Sequence, residues 1–184
     1  MKGTVKEKES MLLIILIMIG LFVPAFFQQV SFLGTNRQLI IGTIVNATLF
    51  ACALKVKNPK KIIVLSVLPS LSSMTTGLLF NGLTLYSKVM LPFIWVGNLS
   101  LIMCVKYLSK KIKFIPASIV AIAVKVGIIY GGFKLMSSLI GFPTKVSTMF
   151  GTTFGINQIY TAVMGLILVL TVIGAKKMSQ EKEF

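Results

Sequence analysis

The stretch Met11–Phe27, MLLIILIMIGLFVPAFF, is seventeen residues long and contains no charged or amide side chain. An apolar helix of roughly this length crosses the hydrocarbon core of a bilayer, whereas a helix of a soluble protein shows polar residues on one face. Lysines precede the stretch, as in a signal peptide, but Gln28-Gln29-Val30-Ser31-Phe32 offers no small-residue cleavage site. We therefore interpret Met11–Phe27 as a retained membrane-spanning helix.

Similar apolar blocks recur along all 184 residues, and apolar residues make up 55% of the chain. The sequence therefore predicts an all-α integral membrane protein, a bundle of six transmembrane helices forming a single domain over 1–184. Pro69 and Gly77 predict a kink or a partly unwound segment in the third helix. The predicted helices cover residues 11–27, 39–54, 62–80, 89–107, 114–140 and 156–175.

The basic residues predict the orientation of the bundle. Fourteen lysines fall at the N-terminus, in the segments 55–61 and 106–113, and in the C-terminal tail. Four basic residues, Arg37, Lys88, Lys134 and Lys145, fall on the other side. Short cytoplasmic loops carry the excess of lysine and arginine, so both termini are expected in the cytoplasm of a bacterial or archaeal plasma membrane.

With this topology, polar side chains are concentrated in the outer half of the membrane. A cavity that opens outward would explain the concentration, because polar groups are costly against lipid. Hydrogen bonds between helices would explain it as well, and both interpretations remain open. The polar residues are Gln28, Gln29, Asn36, Arg37, Gln38, Thr43, Ser70, Ser72, Ser73, Thr75, Thr76, Asn81, Tyr130, Lys134, Asn157, Gln158, Tyr160 and Thr161.

Lys125 is a charged residue in the middle of a predicted span. It lies in the middle of the fifth predicted helix, and no carboxylate occurs between Ser10 and Gln180. A cation at that depth needs water, backbone carbonyls or an anionic ligand, unless its side chain reaches the membrane surface. A ligand-binding role and a snorkelling role are both possible for Lys125.

The sequence argues against several functional classes. No phosphate-binding loop, GxSxG or HExxH motif is present, so we expect no enzyme. Intramembrane Asp, Glu and His are absent, which disfavours a transporter that supplies its own coupling. Cys52 and Cys104 are isolated within predicted spans, so we expect no metal or cofactor. The lysines flank apolar blocks, which disfavours nucleic acid as a partner.

Three stretches resemble a known family of membrane proteins: QLIIGTIVN (38–46), Leu68-Pro69-Ser70 followed by Thr76-Gly77-Leu78-Leu79, and Leu91-Pro92-Phe93 leading to Gly97-Asn98. Together with six predicted spans in about 20 kDa, they resemble the substrate-binding S component of energy-coupling-factor (ECF) transporters. The same stretches are similar to sequences of S-component-like proteins that are sometimes labelled iron hydrogenase. Two separated cysteines do not support that label.

The resemblance implies that the chain captures a micronutrient, while a T-type membrane subunit and two ATPase subunits supply the power. S components often dock through Ala-x-x-x-Ala in helix 1, and helix 1 here lacks that pattern. Four-residue spacing of small residues occurs instead at Ala47 and Ala51, at Ala117 and Ala121, and at Gly127 and Gly131. These pairs are expected to pack helices together or to dock another membrane subunit.

In the family, ligand is held mainly by helices 4 to 6 and by the loop between helices 1 and 2. We expect the ligand to be small, neutral or anionic, with an aromatic or apolar part against Trp95 or Tyr160. A small structural or assembly subunit without a ligand is the alternative, and an independent channel is a weaker third. The implied substrate-binding residues are Gln29, Asn36, Arg37, Trp95, Asn98, Lys125, Tyr130, Asn157, Gln158 and Tyr160.

Overall fold

The chain is helical throughout the part that the structure describes. The computed structural model describes residues 5–30, 36–75 and 84–181, with side chains over 10–27, at Val30, and over 36–73 and 86–175. No strand occurs in these ranges, so the predicted all-α class is confirmed. The helices are α1 (Val5–Gln29), α2 (Arg37–Lys55), α3 (Pro59–Thr75), α4 (Thr84–Leu108), α5 (Phe114–Ile140), α6 (Thr144–Phe154) and α7 (Ile156–Glu181).

Five segments of the described helices are long and apolar enough to cross a membrane, as expected for a multi-pass membrane protein. The third predicted span corresponds to α3, whose described part ends at Thr75, and residues 76–80 lie outside the described ranges. A membrane crossing by this third predicted helix, which would bring the number of spans to six, therefore stays a prediction. The five segments are Ser10–Phe27, Arg37–Lys55, Tyr86–Leu108, Phe114–Ile140 and Thr144–Ala175.

The segment between the last two predicted spans forms a helix of its own, α6. It begins after Pro143 and ends at Gly155, where φ is −97° and ψ is −101°. Val146, Phe150 and Phe154 follow one another at four-residue spacing and are all buried. The apolar face of α6 therefore packs onto the bundle, and Gly155 joins α6 to α7 through a sharp change of direction.

Six helices form a ring in which α1, α2, α7, α5, α4 and α3 follow one another, with α3 closing against α1. Helix α2 also contacts α4 and α3 and so occupies the middle of the bundle. Lys106 donates a hydrogen bond from Nζ to the Val56 carbonyl. That bond joins the two segments that hold most of the loop lysines, 55–61 and 106–113, at what we call the lysine-rich end.

The apolar interior is divided into two clusters. The first contains Leu49, Phe50 and Leu101 and joins α2, α4 and α7 towards the lysine-rich end. The second contains Met90, Phe133 and Phe150 and joins α4, α5 and α6 at the opposite end. Phe142 packs with Phe133 and Phe150 in the second cluster, with ring centroids 6.3 and 5.8 Å apart. We call this second group the aromatic cluster.

Two glycines allow α2 and α7 to approach closely. A Cβ atom at Gly42 would lie 2.7 Å from Cγ2 of Thr161. A Cβ atom at Gly165 would lie 2.8 Å from the backbone nitrogen of Ala47. Because backbone cannot move aside as a flexible side chain can, Gly165 fixes the distance between the two helices.

Replacing Gly165 with Ala is therefore expected to destabilise the bundle by about 1–3 kcal/mol, the usual range for overpacking. The matched control is Gly174→Ala on the same helix, since no atom lies within 4 Å of a Cβ built there. Thermal unfolding of the two variants in one detergent gives the comparison. Equal melting temperatures for Gly165→Ala and Gly174→Ala would contradict the close contact.

Candidate functional site

A buried hydrogen bond connects α5 to α2 in the interior of the bundle. Lys125 donates from Nζ to the side-chain oxygen Oδ1 of Asn46 at 2.6 Å, and each residue is 2% exposed. The side chain of Lys125 thus turns towards the centre of the bundle. Its described partner is an amide, and no carboxylate occurs among the described side chains.

The amide of Asn46 extends this connection to α7. Its nitrogen Nδ2 donates to the Gly42 carbonyl at 2.8 Å and to Oγ1 of Thr161 at 3.2 Å. The Thr161 hydroxyl in turn donates to the Gln158 carbonyl at 3.4 Å. We call Lys125, Asn46 and Thr161 the buried polar chain. It links α5, α2 and α7 by hydrogen bonds within an apolar bundle.

Two further predicted residues bind α4 to α3. The indole nitrogen Nε1 of Trp95 donates to the Ser70 hydroxyl at 2.7 Å. Asn98 is buried, and its Nδ2 donates to the Ser66 carbonyl at 3.0 Å. Both side chains therefore make contacts between α4 and α3.

The predicted residues near the first loop lie at two helix ends. Gln29 is the last residue of α1, and its side chain lies outside the described part. Asn36 occupies the N-cap position of α2, is exposed, and makes no side-chain capping bond. Arg37 is the first residue of α2 and is partly buried. The polar residues Gln28, Thr75, Thr76 and Asn81 also lie outside the described residues or side chains.

The predicted residues of α7 lie at its first turn and point in different directions. Asn157 and Gln158 are partly buried, whereas Tyr160 is 59% exposed. Nε2 of Gln158 donates to the Thr153 carbonyl at 3.5 Å and so connects α7 back to α6. Through Thr161 the same turn of α7 meets the buried polar chain.

A groove of about 560 Å³ runs between α5, α6 and α7, in the half of the bundle away from the lysine-rich end. Its size falls within the range of small-molecule sites. Among the predicted site residues with described side chains, Tyr130 alone lines it. We call it the α5–α7 groove. Its lining is Val126, Tyr130, Phe133, Lys134, Ser147, Thr148, Gly151, Thr152, Gly155, Ile156 and Ile159.

Lys134 supplies the positive charge of this groove. Its Nζ lies 5.5 Å from the centroid of the Tyr130 ring and 5.8 Å from that of Phe133. Contact with ring faces stabilises an ammonium group, but it leaves the group able to donate hydrogen bonds to an anion. Lys125 and Lys134 therefore occupy different places, one inside the bundle and one in the groove.

The sequence prediction did not include the residues that α6 contributes to the groove. Ser147, Thr148 and Thr152 come from a segment that lies between two predicted spans. The buried positions Val146, Phe150 and Phe154 carried the available signal, because apolar residues four apart indicate an amphipathic helix. Such a helix has to direct its remaining residues, including these hydroxyls, away from the aromatic cluster.

The small-residue pairs divide between interior and surface. Ala117 and Ala121 are fully buried, whereas no atom lies within 4 Å of a Cβ built at Gly127 or Gly131. Cys52 is buried in the first apolar cluster, and Cys104 is partly buried. No group of three His, Cys, Asp or Glu able to hold a metal occurs among the residues that the structure describes.

Comparisons with models of known protein families, with curated proteins and with solved structures find no match to this chain.

Substitutions at Lys125 and at Asn46 of the buried polar chain are expected to have opposite effects on stability. Asn46→Ala removes the acceptor of Lys125 and the donor to Thr161. We expect it to lower the free energy of unfolding by about 2 kcal/mol or more. Lys125→Met removes a buried group that is costly to desolvate, and we expect equal or greater stability, since replacing buried charge by an apolar side chain is often favourable.

Unfolding of both variants by a graded denaturing detergent measures these effects, and the double variant measures their coupling. We expect Lys125→Met to recover part of the stability that Asn46→Ala loses. Independent, additive effects would show that the two side chains do not interact.

Proposed function

We propose that this chain is the substrate-capturing membrane subunit of an ATP-driven uptake transporter for a small molecule, in the manner of an ECF S component. The observation that carries the proposal is the α5–α7 groove, whose volume of about 560 Å³ and mixed polar and aromatic lining suit a small ligand. Lys134 and the absence of described carboxylates favour a neutral or anionic one.

The sequence disfavours a chain that couples transport to a cation gradient by itself, although backbone carbonyls can bind sodium. No Asp or Glu occurs between Ser10 and Gln180, and no His occurs anywhere. Carboxylates and histidines inside a membrane are the usual proton and cation relays. The proposal therefore assigns energy supply to partners, a T-type membrane subunit and two ATPase subunits, as the resemblance implies.

The proposal includes six spans, with both termini in the cytoplasm of a bacterial or archaeal plasma membrane. The sixth span in this proposal is the predicted helix 62–80, whose described part belongs to α3. The excess of lysine in 55–61 and 106–113 supports this orientation, because short cytoplasmic loops are rich in basic residues. The α5–α7 groove then belongs to the outer half of the membrane.

Reporter fusions test this topology. Alkaline phosphatase, which is active only outside the cytoplasm, is expected to be inactive when fused after Gln180 and active when fused after Gly141, between α5 and α6. A fluorescent protein that folds only in the cytoplasm should give the reverse pattern. A signal from both reporters at the same position, or phosphatase activity after Gln180, would contradict cytoplasmic termini.

Affinity purification from the native membrane tests the function itself. In mild detergent, we expect the tagged chain to bring down a second multi-span protein with two ATPases, and mass spectrometry of the extract to detect a retained small molecule. An unrelated membrane complex, or no partner in repeated purifications, would count against the transporter subunit.

The buried polar chain favours a second candidate, a structural subunit that assembles a larger membrane complex. Lys125, Asn46, Thr161, Trp95 and Asn98 all bond to other parts of the bundle, as expected for side chains that hold helices together. Recovery of an unrelated complex without a retained small molecule would support this alternative.

A further inference from the structure

The α5–α7 groove changes from polar to apolar along its length. On α5, Lys134, Tyr130 and Val126 lie at four-residue spacing and therefore on one face. At 1.5 Å per residue, about 12 Å separates Lys134 from Val126 along the axis. In order towards the middle of the bundle, the three positions carry a cation, an aromatic ring and an aliphatic side chain.

The facing wall shows the same change in the same direction. Thr148 and Thr152 of α6 are followed by Ile156 and Ile159 of α7. Contacts fix the register of the two walls: a Cβ at Gly155 would lie 3.3 Å from the Tyr130 ring. Tyr130 is thus level with the junction of α6 and α7, so Lys134 lies near the threonines and Val126 near Ile159.

In the polar half of the groove, Lys134 is the cationic side chain of the lining. The hydroxyl of Thr148 donates to the Thr144 carbonyl at 3.0 Å, and that of Thr152 donates to the Thr148 carbonyl at 3.3 Å. Both protons are therefore used within α6. The Lys134 ammonium faces rings and no described carboxylate, which leaves it available to an anionic group.

The apolar half of the groove opens at the side of the bundle. Ile156 is 48% exposed and Ile159 is 42% exposed, on helices that are apolar enough to span a membrane. A wholly polar ligand would place polar groups against these side chains and hydrocarbon, where they have no partners, whereas the apolar chain of an amphiphile can lie there without that cost.

We infer that the α5–α7 groove binds a single-chain anionic amphiphile, with its carboxylate or phosphate at Lys134 and its apolar chain along Tyr130 towards Val126 and Ile159. This inference deepens the proposed function by naming the substrate class, and it rests on that function for its biological role alone. The ligand enters sideways from the bilayer and lies parallel to the lipids, with its charged group at the depth of the lipid headgroups.

Binding of radiolabelled decanoate to the chain in phosphatidylcholine nanodiscs tests the inference, with empty nanodiscs as background. We expect saturable binding that decyl phosphate displaces and that decanol and acetate do not. Lys134→Gln should weaken it about tenfold or more, the effect of losing a charge-assisted hydrogen bond. Lys145→Gln is the matched control, because Lys145 is an exposed lysine of α6 outside the groove lining.

Lys134→Arg keeps the positive charge and should retain binding, so that the assignment remains testable if Lys134→Gln fails to fold. Binding that survives Lys134→Gln within twofold would overturn the inference. So would displacement by decanol as effective as by decyl phosphate, or the absence of a saturable component. Loss of decanoate binding in phosphatidylglycerol nanodiscs would assign the groove to a two-chain lipid instead and would also overturn it.

This assay uses the chain without partners, so its result is separate from that of the affinity purification. Decanoate binding without recovered ATPases would leave the groove assignment intact and remove the transport role. Recovered ATPases without binding of decanoate or decyl phosphate would support the transport role and overturn the groove assignment.

Discussion

The side-chain amide of Asn46 is the group on which the arrangement of α2, α5 and α7 depends, because it accepts a hydrogen bond from Lys125 on α5. Buried among apolar side chains, this amide has no water as an alternative partner, so it constrains the helices that bond to it. Asn46 also donates to Thr161 beside the close approach at Gly42 and Gly165. Polar bonding and close backbone packing therefore act at the same place, and they set the position of α5 relative to α7.

The groove is a consequence of that position. Helices α5 and α7 meet in the interior through the buried polar chain, while α6 covers the aromatic cluster at one end. The space that remains between the three helices lies outside the buried polar chain, and for this reason it is lined by Tyr130 and Lys134. Lys125 bonds inside the bundle to Asn46, whereas Lys134, nine residues later, gives the groove its charge.

The all-helical class followed from the sequence, because long apolar blocks such as Met11–Phe27 leave few alternatives to a helix. Of the six spans expected, the described helices include five segments that are long and apolar enough to cross a membrane. For Lys125, the sequence left open whether the side chain turns into the bundle or towards the membrane surface. Its partner could not be anticipated, since Asn46 is distant in the chain and equally compatible with a ligand site. Helix α6 was missed because its polar positions, Thr148 and Thr152, resemble a loop until the spacing of Val146, Phe150 and Phe154 is considered.

The separation of the apolar interior into two clusters has a consequence for how such a chain can diverge. The aromatic cluster supports α6 and the polar end of the groove, whereas the first cluster holds α2, α4 and α7 together near the lysine-rich loops. Substitutions in the aromatic cluster can reshape the groove without disturbing packing at the other end. The fold thus allows the half around the groove to vary while the packing at the lysine-rich end stays the same.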